Sequence, residues 1–108
     1  MDIKQKQIKA GGIKLFVEDN GEEVAHAYLY ILSNTHDRPF GLMEDIYVAE
    51  NFRSQGLGTK LVGELIKAAQ KNNCYKLIGT SRHSRPKVHA LYERLGFKDW
   101  GKEFRMDF

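Results

Sequence analysis

The sequence predicts an α/β (α+β) domain in which a mixed β-sheet carries two main helices, and three observations point there. Asp19-Asn20-Gly21 separates two alternating apolar runs, the pattern of an antiparallel hairpin. A run ending at Ile46-Tyr47-Val48 passes through two glycines into a helical stripe and then into a second apolar run, the pattern of a right-handed parallel crossover. Pro86 then opens another amphipathic stretch, which Gly96 stops.

In chain order, Ile3 to Ile8 alternates weakly and ends at Ala10-Gly11-Gly12, which reads as a turn. Ile13 to Glu18 follows as a strand. Val24 to Leu32 is the next, with Ala25, Ala27, Leu29 and Ile31 on one face and Val24, His26, Tyr28 and Tyr30 on the other. The polar stretch Ser33 to Pro39 is a loop, and Gly41 to Val48 is a central strand. Alternation puts Glu44 on the face of Leu42, Ile46 and Val48, and Asp45 on the opposite one. Leu57, Leu61, Val62, Leu65, Ile66 and Ala69 then recur at helical spacing. That helix runs to about Lys71, where Asn72-Asn73 supplies a residue that accepts the left-handed conformation of a C-cap. Cys74 to Thr80 is a short apolar strand, parallel to Leu42–Val48. Val88, Leu91, Tyr92 and Leu95 make the buried stripe of the second helix. Phe97 to Phe108 alternates Phe104, Met106 and Phe108 with polar residues and reads as a closing strand.

At 108 residues, 42% of them hydrophobic, the chain is expected to be a single domain over residues 1–108 with one core. Its charge of +3 suits an anionic ligand but is too mild and dispersed to indicate nucleic acid. Lone Cys74 excludes an internal disulfide and fits a reducing compartment. The polar start Met1 to Lys6 does not resemble a signal peptide, and no apolar stretch is long enough to span a bilayer. The expectation is a cytoplasmic protein. The histidines show no ligand spacing with one another or with Cys74, so no metal is expected.

The chemistry concentrates in Arg53-Ser54-Gln55-Gly56-Leu57-Gly58-Thr59. Glycines between a strand and a helix let several backbone N–H groups point outward together, and the helix N-terminus adds partial positive charge. Such a turn suits a phosphate, and Arg53 brings a full charge to its rim. The order Gly58-Thr59-Lys60 is not that of a P-loop, and no third glycine completes a dinucleotide fingerprint. By itself the loop favours an anion site over a tight turn without a ligand, but does not settle between them.

Two blocks together carry a family resemblance. Arg53-Ser54-Gln55-Gly56-Leu57-Gly58 matches the Arg/Gln-x-x-Gly-x-Gly/Ala signature of the GNAT (Gcn5-related N-acetyltransferase) superfamily. Arg85, His89, Leu91-Tyr92-Glu93 and Leu95-Gly96-Phe97 resemble that family's second helix, at the right separation. Glu44-Asp45-Ile46 and Asn73 to Leu77 further resemble the glucosamine-6-phosphate N-acetyltransferase branch. The match covers roughly Phe40 to Phe108. It implies a GNAT-like twisted sheet from which the family's first two helices are missing, since only Ala10-Gly11-Gly12 separates the first two candidate strands.

The resemblance implies transfer of an acetyl group from acetyl-CoA to a primary amine by direct attack. Residues 53–59 would hold the pyrophosphate, and the backbone of Ile46, Tyr47 and Val48 would pair with the pantetheine arm where the parallel strands splay apart after Val48. Glu44 is the first candidate for the base, with Asp45 the runner-up, each otherwise a surface carboxylate. Tyr92 occupies the family's position for the acid that protonates the departing thiolate; by spacing alone it is a packing residue. Arg85 stands where relatives have asparagine and could reach a CoA phosphate or an anionic acceptor. His89 is read as a surface histidine, Cys74 as core, and Tyr28, Tyr30 and Trp100 as core or acceptor-lining aromatics. The partner implied is an amine acceptor, and a second copy in a homodimer could complete the wall of its site through the C-terminal strand. The rival is a non-catalytic acetyl-CoA-binding sensor or partner subunit.

Overall fold

A computed structural model describes residues 1–108. One sheet runs in the order β1 (Gly11–Asp19), β2 (Glu22–Leu32), β3 (Phe40–Val48), β4 (Leu77–Ile78). β1, β2 and β3 pair antiparallel, whereas β4 joins β3 in parallel. Helix α1 (Leu57–Lys71) makes the crossover, preceded by a single 3-10 turn at Glu50–Phe52, and α2 (Pro86–Arg94) follows β4. The first hairpin closes through Asn20 and Gly21 at φ 51° and 80°, the pair of left-handed residues whose twist matches that of the flanking strands.

The core lies on one side of the sheet. Ala25, Ala27 and Leu29 of β2 and Met43 of β3 are buried beneath Leu61, Val62, Leu65 and Ala69 of α1. Alanines at the crossing let the helix backbone come close. Gly41 does the same at the β3–β4 junction, where an added Cβ would stand 2.9 Å from the end carbons of both Leu29 and Leu77. Leu65 is fully buried at the centre of this layer. Leu65→Ala is expected to cost about 2–5 kcal/mol, read as a lower urea midpoint at unchanged slope.

Both helix ends follow their residues. Asn73, at φ 59°, ends α1 in the left-handed conformation. Pro86 opens α2, and Gly96 closes it at φ 99°, with the Phe97 N–H donating to the Tyr92 carbonyl and the Gly96 N–H to that of Glu93. That pair of hydrogen bonds is the Schellman arrangement.

Four expectations are corrected. Ile3–Ile8 is not a strand, and Gly11 and Gly12, expected in a turn, begin β1 opposite Ile31 and Tyr30. The Cys74–Thr80 strand shrinks to Leu77–Ile78. Phe97–Phe108 forms no strand: alternation needs a paired neighbour to become one, and Trp100, Phe104 and Phe108 stand exposed without one. The fourth correction is in β3. Tyr28 pairs with Glu44 and His26 with Tyr47, so Ala27 alone faces both Asp45 and Ile46. This bulge reverses the side-chain parity. Glu44 therefore shares a face with Leu42 and Tyr47, not with Ile46 and Val48. That face, opposite the core, has no cover; Phe16, Tyr30 and Tyr47 are 53%, 41% and 44% exposed on it.

Candidate active site

The turn into α1 is built from two left-handed residues, Ser54 at φ 64° and Gly56 at φ 80°. Alternation of left- and right-handed residues gathers successive N–H groups into a concavity that suits an anion. No side chain caps α1, so the amides of its first turn, Leu57, Gly58 and Thr59, are left to a ligand or to water. Nothing lies within 4 Å of a Cβ added at Gly56 or Gly58, which leaves the approach to those amides open. Arg53 ties the turn to the strand: its Nε donates to the Val48 carbonyl at 2.8 Å. Its terminal nitrogens have no protein partner. Gln55 turns away, with Nε2 3.4 Å from the Asn51 carbonyl oxygen.

This turn forms one wall of a cleft of about 440 Å³. Val48, Phe52, Arg53, Ser54, Gly56, Leu57, Gly58 and Thr59 line it from one side, and Lys87, Val88, Leu91 and Arg94 of α2 from the other. Three cations, Arg53, Lys87 and Arg94, thus surround the free amides. Lys87 and Arg94 were not among the residues expected to hold the cofactor. Their signal was there, since positions 87, 91 and 94 fall on one helical face.

β3 and β4 are paired only through Gly41–Leu77 and Leu42–Ile78. They part beyond Leu42, earlier than the expected point after Val48. The β4-facing edge of β3 from Met43 onward has no strand beside it. Of the three residues expected to offer backbone there, Ile46 and Val48 are half-buried, Tyr47 faces His26, and the Val48 carbonyl is taken by Arg53.

Tyr92 is half-buried near this opening, its ring 5.3 Å from that of Phe97. Gly79, at the exit of β4, makes room for Met43: an added Cβ would collide with Met43 Cε, whereas at 3.5 Å it would be in ordinary contact with Tyr92 Cε2. Burial chiefly pushes the Tyr92 phenol above its ordinary pKa; the Arg85 guanidinium works against this, and the Glu44 carboxylate adds to it. Three residues predicted from separate stretches therefore share one electrostatic neighbourhood. The phenol at its centre holds its proton, as a proton donor must. Arg85 is the exposed residue preceding α2, and it lines a smaller hollow with Ser84 and Lys87.

The remaining candidates divide. Asp45, expected on the opposite face from Glu44, is the bulged residue at φ 49°, and its Oδ2 lies 3.1 Å from His26 Nε2 on the uncovered face. His89 bonds the Arg82 carbonyl through Nε2 at 2.8 Å, fastening α2 to the loop before it. Cys74 packs against the core, and burial raises its thiol pKa. Tyr28 and Tyr30 stack at 6.2 Å on the uncovered face, whereas Trp100 is exposed in the C-terminal segment.

Comparison with known proteins gives these features a context. The acetyltransferase (GNAT) family matches residues 2–97. The chain is 43% identical over 63 residues to the glucosamine 6-phosphate N-acetyltransferase of Candida albicans, covering 58% of this chain and 40% of that protein. Against the enzyme of the same name from Trypanosoma brucei brucei it is 35% identical over 71 residues, covering 65% and 46%. It spans less than half the length of these curated relatives. Among solved structures, a putative acetyltransferase from Agrobacterium tumefaciens superposes with a TM-score of 0.82 at 32% identity, covering 91% of this chain and 69% of that one. Glucosamine-6-phosphate N-acetyltransferase from Arabidopsis thaliana superposes at 0.80 with 25% identity, covering 90% and 67%. With a family match over nearly all of its length and a fold that superposes on these structures, the chain belongs to the acetyltransferase (GNAT) family.

Proposed function

We propose that this chain is an N-acetyltransferase that moves an acetyl group from acetyl-CoA to a primary amine by direct attack. The observation that carries this reading is the uncapped, left-handed turn into α1, which lines a cleft together with the cations Arg53, Lys87 and Arg94. Acetyl-CoA supplies an activated thioester. The residues present fit it: the amides of residues 57–59 suit the pyrophosphate, with Arg53, Lys87 and Arg94 balancing its charge.

The chain's own groups then divide the proton work. Glu44 takes the proton from the incoming ammonium, which frees the nitrogen lone pair. An N–H on the unpaired edge of β3 donates to the carbonyl oxygen as negative charge gathers there; a donor of that kind is worth about 3 kcal/mol of barrier. As the C–N bond forms and the C–S bond breaks, the Tyr92 hydroxyl gives its proton to sulfur. Burial suits it for this, because the neutral phenol persists to higher pH. The curated relatives make a phosphorylated amino sugar the first acceptor to try. A cytoplasmic setting and a homodimer complete the reading, the latter supported by the unpartnered apolar side chains of residues 100–108.

Calorimetry with CoA and acetyl-CoA, followed by thiol release against a panel of amines, tests this; absence of binding to either ligand overturns it. The uncovered sheet face beside Glu44 favours a second reading, an acetyl-CoA-binding sensor. Binding without turnover on any amine would select it. A sharper check comes from Gly58. Its Cβ would enter open space in the first helical turn, so Gly58→Ala is expected to stabilise the fold by about 0.5 kcal/mol. The same methyl crowds a bound pyrophosphate, and the affinity for CoA should fall about tenfold, by calorimetry.

A further inference from the structure

The β3 bulge is held in a conformation that its residue does not favour. Asp45 is at φ 49°, a left-handed conformation that aspartate tolerates better than most residues but that still costs free energy inside a strand. No ladder partner faces it, because Ala27 alone stands opposite both Asp45 and Ile46. The support comes from the side chain of His26, which is 18% exposed and bridges β2 and β3 where the ladder is interrupted. His26 Nε2 lies 3.1 Å from Asp45 Oδ2, and Nδ1 lies 2.9 Å from Glu23 Oε2. The ring thus stands between a carboxylate of β2 and one of β3, one at each ring nitrogen. Tyr28 meets the ring edge-on at 5.6 Å and Tyr47 lies tilted at 5.3 Å, restricting its rotation. Lys14 of β1 grips Glu23 from the other side.

We propose that His26 is a positioning residue for acetyl transfer: it pins Asp45 in the left-handed conformation and thereby fixes Glu44 and the free backbone edge of β3 relative to the acceptor amine. This rests on the transferase reading above. The logic is local. Glu44 immediately precedes the pinned residue and Ile46 follows it, so a change of φ at position 45 swings one against the other. Without the pin, Asp45 relaxes to an ordinary extended φ, the parity of the strand changes, and the Glu44 carboxylate leaves the neighbourhood of Tyr92. The turn into α1 lies outside the bulge and is untouched. A positioning defect should therefore appear in the chemical step and not in CoA affinity.

Two substitutions and three readouts decide the matter. In the wild-type chain, Asp45 should give the strong intraresidue amide–Hα NOE of a positive-φ residue. His26→Ala should lose that signal, keep CoA affinity within about twofold, and lower kcat about tenfold or more, as a misplaced reacting group does. Adding Asp45→Gly to His26→Ala should restore both the positive φ and most of kcat, because glycine holds that conformation without an anchor. Were His26 needed only for packing against Tyr28 and Tyr47, glycine at position 45 would rescue nothing, and that result overturns the proposal. So does an unaltered NOE in His26→Ala. A wild-type chain that fails to bind CoA would instead sink the transferase reading, while the NOE series still settles whether His26 holds the bulge.

Discussion

Tyr92→Phe should lower kcat by about a hundredfold or more at neutral pH, the usual scale for losing a positioned proton donor. Affinity for CoA should stay near that of the wild type, because the α1 turn lies elsewhere and the ring keeps its packing against Phe97. The pH dependence makes the test specific. Burial raises the Tyr92 pKa above 10.0, so the wild-type rate should fall only as pH climbs past that ordinary value and the phenol ionises. Tyr92→Phe should lack this falling limb altogether. Stability follows the same sign. A raised pKa in the folded state contributes stability that is fully present below the unfolded value near 10.0 and is lost as pH rises through the folded one. The phenylalanine variant should therefore lose less stability than the wild type in strong alkali. A kcat within a few-fold of the wild type would remove Tyr92 from the chemistry and return it to packing.

Glu44→Gln should show a defect of similar size, about a hundredfold in kcat/KM at neutral pH, since an amide does not accept a proton from the ammonium. This defect should shrink as pH rises toward the ordinary pKa of the acceptor, about 10.4 for a lysine-like amine, where the nucleophile arrives already deprotonated. A defect that is constant across pH would mean that Glu44 orients the acceptor without moving a proton. One further consequence separates the two variants. Glu44 adds to the upward shift of Tyr92, so its replacement should move the alkaline limb to lower pH. Rate profiles of the wild type and both single variants read all of this in one series.

Much of the molecule was legible in the residues. The Asn20-Gly21 hairpin, the α1 stripe and the Pro86 and Gly96 boundaries of α2 appear where local propensity put them, because at each place one backbone conformation dominates. The β3 face was not legible. Gly41 to Val48 reads as unbroken alternation, and the bulge that inverts it depends on Ala27 across the ladder and on a histidine nearly twenty positions back. Pairing is a property of two strands, and periodicity reports on one. The same limit misled the reading of Phe97–Phe108, whose alternating side chains find no neighbour in this chain. In the site, the loop residues were visible as a local motif. Lys87 and Arg94 became visible only once α2 was laid against α1.

The second helix has no fully buried residue. It meets the body through half-buried side chains, and β4, which leads into it, is paired at only two positions. A helix held so lightly would swing at small energetic expense. Ordering it against a nucleotide would consume part of the contact energy, leaving a complex that loads quickly and lets go quickly. Turnover would then be limited by the bond-making event and not by departure of the spent carrier, the reverse of what a tightly docked helix would impose.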